Sequence, residues 1–237
     1  MNRQAQTILC HLQSVADERI ERQHDVALGQ KVDAIKRFQH DRFRLTYAHL
    51  LADPRYGAAA QFFLDDLYGP RDFSDRDAQF RRVVPALVRM FPGRIVATIG
   101  DLAELHALSE TLDTRMGRFV CALPLDWHDY AAAWKLTGER ECRMRQIELL
   151  HNIGNALDRH THNPLLRRTL HMMRAPARLA GLAALQAFLE KGFDIFGAMG
   201  GADDFLREIV RRESELAVRL FEDNVKSLRG LSSEEGL

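Results

Sequence analysis

Apolar residues recur every three to four positions along most of the chain, the spacing of one buried face of an α-helix. Residues 2–26 carry only a sparse apolar stripe, Ile8, Val15 and Ile20, among dense charge. Such a helix either covers the edge of a core or pairs with a partner. A second helix is predicted over 31–52 and stops at Asp53-Pro54, because proline lacks the amide and restricts the residue before it. Over 55–68 the positions Tyr56, Ala59, Ala60, Phe63, Leu64 and Leu67 share one face, with Asp65 pointing away and Asp66 on the flank. Tyr68-Gly69-Pro70 then breaks the helix. Ser74 with Asp77 resembles a capping box for a helix over 75–91, in which Pro85 marks a kink or the first turn.

Ile95-Val96-Ala97-Thr98-Ile99 is the one strand-like run. With no second run to pair with, it reads as buried helix or linker. Further helices are predicted over 101–120, 126–137, 139–161, 164–174, 176–198 and 202–228. Asp126 and Asn163 stand at N-cap positions, Pro164 at a first helical position, and Gly200-Gly201 at a corner. Ala177 to Phe196 is apolar nearly all round, the pattern of a central core helix or, alternatively, of an exposed groove or dimer interface. The fold class is therefore all-α, a single multi-helix orthogonal or bundle domain of about ten helices, with a globin-like arrangement as the alternative. The expected organisation is a charged N-terminal helix over 1–26, a helical core over 27–229 and a disordered tail over 230–237.

Composition narrows the function classes. The 237 residues, 46% hydrophobic and 28% charged, suffice for a full core. Thirty-three basic side chains balance thirty-three acidic ones, so net charge argues against a nucleic acid or an anionic membrane as partner. No apolar run approaches the roughly 18 residues of a membrane span, and no basic segment precedes an apolar one in the manner of a leader. Cys10, Cys121 and Cys142 are odd in number and widely spaced, with no Cys-x-x-Cys, which argues against a disulfide framework and a structural zinc site. A cytoplasmic protein is expected.

Several blocks carry a family resemblance. The stretch Tyr56 to Asp77, with Phe62-Phe63-Leu64-Asp65-Asp66-Leu67-Tyr68-Gly69-Pro70 at its centre, resembles the signature of an uncharacterised family of bacterial helical proteins. Glu104 to Glu110 with Leu112-Asp113, Arg174 to Ala177 with Ala180-Gly181-Leu182, Phe188 to Phe193, Met199 to Ala202, and Phe205 to Ile209 with Arg212-Glu213 are similar to the same family. The resemblance spans nearly the whole chain. It implies a proteobacterial, cytosolic, all-helical protein and brings no catalytic residues with it.

Four clusters are chemically suggestive. At the turn 68–77, Arg71 and Arg76 have the residue type that clamps a carboxylate or phosphate, with Tyr68 as a hydroxyl donor. Asp72, Asp75 and Asp77 would equally neutralise the two guanidiniums within the loop. Tyr68, Arg71, Asp72, Arg76 and Asp77 are the candidate ligand- or partner-binding residues. Ten histidines are the second feature. Glu148 and His151 have the Glu-x-x-His spacing of di-iron bundles, on a stripe continued by Asn155, Asp158 and His162, but no second Glu-x-x-His exists in the chain. That stripe lies about 120° from the apolar one, which places it at the border or on solvent. His106 is the candidate axial ligand of a haem. Fourth, Gly197 to Gly201 precedes a helix N-terminus, but Asp203 and Asp204 there would repel an anion.

No hydrolase or nucleotide-binding motif is present. The expected function is non-enzymatic binding of a small molecule or a protein partner, as a monomer or homodimer and without a cofactor. The alternative is a haem- or iron-dependent redox or sensor protein using His106, Glu148 and His151.

Overall fold

The computed structural model describes residues 2–67 and 73–222. Tyr68, Arg71 and Asp72 of the candidate turn and the tail 230–237 lie outside the described residues. Twelve α-helices and one π-helical turn make an all-α fold, with no strand among the described residues. In chain order these are α1 (Arg3–His24), α2 (Val26–Thr46), α3 (Ala48–Ala52), α4 (Gly57–Phe62) running into the π turn (Phe63–Leu67), and α5 (Ser74–Met90). There follow α6 (Gly93–Gly117), α7 (Trp127–Thr137), α8 (Arg140–Thr161), α9 (Pro164–Met172), α10 (Arg174–Leu179), α11 (Ala183–Met199) and α12 (Asp203–Phe221).

Helix α6 is the hub. Its Val96 and Ala103 join a cluster with Ile8 and Leu12 of α1 and Val84 of α5. Its Leu105 joins the largest cluster, built from Phe62, Phe63, Leu149, Ile153, Phe196, Phe205 and Leu206 among others. Its Met116 enters a third with Ile35, Tyr130, Trp134 and Leu220. A helix packed on α1, α2, α5, α7 and α8 has little face left for water, so its polar side chains must find partners inside the protein. Of the two roles open to the first helix, α1 takes the core-covering one. Ala5, Ile8, Leu12 and Val15 are buried, whereas Ile20 is exposed.

Local chemistry explains most boundaries. The side chains of Asn2, Asp25, Asp126 and Asn163 accept hydrogen bonds from the first-turn amides of α1, α2, α7 and α9. Gly200 closes α11 in the left-handed conformation, φ 67°. Arg55 ties down that corner by donating to the carbonyls of Met199, Gly200 and Gly201 at 2.9, 3.2 and 3.1 Å.

The strand-like run 95–99 forms the opening turns of α6, the helical one of its two expected readings. Three expectations are corrected. Ser74 is the first residue of α5 rather than its cap; Phe73 holds the cap position, beneath the Arg76 guanidinium 4.0 Å from its ring centroid. The segment 176–198 is two helices, because Gly181 turns the chain at φ 67°. It is no central core helix either: Leu179 is 91% exposed and Leu189 39%. Finally, α2 begins at Val26, five residues before the expected start, because Asp25 caps it there.

Among the glycines, Gly154 is approached most closely: a Cβ there would overlap the Cδ atoms of Leu206 on α12, and Leu206 is fully buried. Gly154→Ala is therefore expected to destabilise the protein by about 1–3 kcal/mol through overpacking. A urea titration checks it: a midpoint equal to the wild type would mean the α8–α12 contact is loose.

Candidate functional site

Along α6, His106, Glu110, Asp113 and Thr114 follow one another at helical spacing and face α1 and α2. On α1 the stripe Ile8, Leu12, Val15 continues as Arg19 and Arg22, so the face that buries aliphatic groups at one end delivers guanidiniums at the other. Lys36 and Gln39 reach in from α2. The result is a polar seam sealed between three helices and closed at one end by Asp77 of α5.

Glu110 is its centre, with a side chain only 5% exposed. Lys36 Nζ donates to both carboxylate oxygens at 2.9 Å, Arg22 Nη2 to Oε2 at 2.5 Å, and Arg19 Nη2 lies 3.6 Å from Oε1. Arg22 Nη1 also donates to Thr114 Oγ1 at 2.7 Å. Burial alone pushes the Glu110 carboxyl up, but Lys36 and Arg22 outweigh it and hold the group down to about 2. Asp113 behaves oppositely: burial, only partly offset by Lys36 and Arg143, pushes its carboxyl up. Gln39 Nε2 donates to Asp113 Oδ1 at 3.1 Å.

At the outer end, Asp77 Oδ2 accepts from His106 Nε2 and from Arg19 Nη2, each at 2.8 Å. Burial raises the Asp77 carboxyl, and the His106 hydrogen bond and neighbouring cations more than reverse it. Arg76 is held between the rings of Phe73 and Phe188, at 4.0 and 4.5 Å from their centroids. Its Nη1 donates to the Asp66 carbonyl at 2.9 Å. Arg76 and Asp77 are thus in contact with the protein's own groups, both at least four-fifths buried. A second buried pair lies under α12. Arg42 grips Glu213 bidentately at 2.7 and 3.0 Å, and Tyr47 donates to the same carboxylate at 2.8 Å.

The histidine candidates fall in different places. His106 belongs to the seam. On α8, Glu148 accepts from Arg145 at 2.9 Å, and the exposed His151 shares a hydrogen bond with Asn155 at 3.0 Å. His162 Nδ1 lies 2.6 Å from the Asp158 carbonyl and donates to it. Burial, with Arg94 and Arg159 nearby, pushes His160 down and favours its neutral form. Among the described residues the one grouping of three metal-type side chains is Asp126, His128 and Asp129 on the surface. Asp126 there already caps α7 by accepting from the Asp129 amide at 2.8 Å.

Chemically the seam stores charge without presenting a reactive atom. Its carboxylates accept from cations, and Thr114 Oγ1 accepts from Arg22 while donating to the Glu110 carbonyl at 2.9 Å. The sequence reading missed Glu110, Arg19, Arg22, Lys36 and the Arg42–Glu213 pair. One signal was there: the α1 stripe carries arginine where the next apolar residue belongs.

The seam predicts a pH response. Glu110's folded value, about 2, lies below the ordinary 4.5. Its contribution, about 3 kcal/mol at 1.36 kcal/mol per pH unit, is complete above pH 4.5 and is lost as pH falls from 4.5 through 2. Asp113, shifted upward, works against this because its burial cost is relieved on protonation. Glu110→Gln is expected to flatten the acid limb of the stability curve in that window. An unchanged acid limb in urea titrations across the window would refute it.

With the fold and the seam described, comparison with known proteins places the chain. The model of the family described as "Domain of unknown function (DUF8198)" matches residues 18–227, and the chain belongs to that family. No curated protein and no solved structure matches it. No helix among the described residues is long and apolar enough to cross a membrane.

Proposed function

We propose that this protein is a non-enzymatic, cytoplasmic binding module that engages a protein partner through the outward face of α9, α10 and the start of α11. One observation carries the reading. Helix α9 buries no residue and α10 only Ala177, yet Leu165, Met172 and Leu179 stand 68, 71 and 91% exposed on them. Exposed apolar side chains this large, on consecutive helices that bury almost nothing, fit an interaction surface. The buried charges, by contrast, are tied to one another. In this reading Arg76 and Asp77 anchor the corner before α5 and do not bind the partner.

The three free cysteines accord with a reducing compartment. No resident haem or iron is proposed, so the absorption spectrum of untagged protein should lack a Soret band; finding one would overturn this part. For the surface, a photo-crosslinking amino acid at position 179 should yield a discrete adduct in cells, and one at the exposed Leu136 should not. Equal adducts at both positions, or none at 179, would sink the assignment.

A further inference from the structure

From Arg159 to Leu189 the chain holds five arginines and three histidines and not one aspartate, glutamate or lysine, in a protein whose formal net charge is zero. This stretch supplies the end of α8, all of α9 and α10, and the first turns of α11. Two of its arginines are neutralised from α11. Arg167 pairs with Asp194 at 2.9 Å and Arg174 with Glu190 at 2.6 Å. Arg168 and Arg178 are exposed and make no ion pair with a described residue.

These two guanidiniums, unpaired among the described residues, stand among the exposed apolar groups. Leu165, Arg168 and Met172 occupy an i, i+3, i+7 stripe on the outward side of α9. Arg178 borders Leu179 and lines a groove between α10 and α11, along with Arg174, Ala183, Gln186, Ala187 and Glu190. The alanines leave that groove open to another helix. It is also held in shape: Arg82 of α5 donates to the carbonyls of Ala180 and of Gly181, the latter at 3.1 Å, fixing the turn that projects Leu179.

We infer that this face takes an acidic amphipathic helix of a partner protein, with apolar side chains laid against Leu165, Met172 and Leu179 and carboxylates on Arg168 and Arg178. The inference rests on the partner-binding reading above and names the chemistry of its ligand. Charge complementarity points to an acidic occupant. The choice of protein over membrane follows from side-chain types. Arginine and methionine are enriched at protein interfaces and lysine is depleted, whereas helices on lipid carry aromatic anchors, and the exposed apolar groups of this face are leucine and methionine. Arginine also holds a carboxylate through two parallel donors, and methionine adapts to the surface laid on it.

The test uses the full chain and two designed helical peptides, each about four turns long, with identical leucine stripes flanked by glutamate in one and lysine in the other. Fluorescence anisotropy should show saturable binding of the glutamate peptide only. Leu179→Ser and Arg178→Glu should each weaken it about tenfold or more, with melting temperatures unchanged because both side chains are exposed. Arg178→Glu should in turn gain affinity for the lysine peptide. Equal binding of both peptides, or insensitivity to these variants, would overturn the inference. So would sedimentation of the protein with phosphatidylglycerol vesicles, or a wild-type homodimer that Leu179→Ser dissociates. If the peptides fail while the crosslink at position 179 persists, the partner-binding reading stands and its acidic chemistry falls; loss of both removes the reading itself.

Discussion

Glu110→Ala is expected to be among the most damaging single substitutions, costing about 3–5 kcal/mol. Glu110 as a whole is 4% exposed, and its carboxylate receives Lys36 and Arg22 directly, with Arg19 close by. Removing it leaves Arg22 and Lys36 facing each other in a largely buried seam without the carboxylate that joins them, and desolvated cations that lose their partner are costlier than a lost contact. At roughly 2–4 °C per kcal/mol for a chain of this size, the melting temperature should drop by about 10 °C. Chemical denaturation followed by circular dichroism gives the free energy directly. The triple variant Glu110→Leu, Arg22→Leu, Lys36→Met supplies the control, because replacing the whole cluster by aliphatic groups removes the unpaired charges. It should recover most of the loss. A single variant as stable as the wild type, or a triple variant worse than the single, would show that the seam does not carry this energy.

Glu213→Ala is expected to cost a comparable 3–5 kcal/mol. Arg42 is 9% exposed, and Glu213 takes both of its terminal nitrogens. Burial lowers the basicity of Arg42, yet Glu213 raises it beyond the ordinary value, so the guanidinium stays charged and depends on its partner. Loss of the carboxylate strands that charge and also removes the acceptor 2.8 Å from the Tyr47 hydroxyl. Adding Arg42→Leu to Glu213→Ala should restore part of the stability. A double-mutant cycle in urea measures the coupling; an interaction energy near zero would mean water already satisfies the pair.

These two pairs also show how sequence and structure divided the problem. Helical periodicity, caps at Asp126 and Asn163, the stop at Asp53-Pro54 and the corner at Gly200-Gly201 were legible, because each depends on residues within a turn or two of one another. The run 95–99 was harder: a short apolar segment has the same pattern in a buried strand and a buried helix, and only continuity with α6 settles it. Ala177 to Phe196 was misread for a related reason. Its apolar residues announce burial, but Gly181 breaks the segment and its first half lies against solvent.

The chain by itself determined an all-helical fold and most of its helix ends, since amphipathic spacing and capping act over a few residues. Tertiary structure alone decided which charges meet. Glu110 finds Arg22 and Lys36 across 88 and 74 residues, and Arg42 finds Glu213 across 171. It also decided that α9 and α10 would keep Leu165, Met172 and Leu179 outside. Helix packing fixes such pairings and exposures, and it depends on the shape and volume of the whole core, which no local pattern encodes.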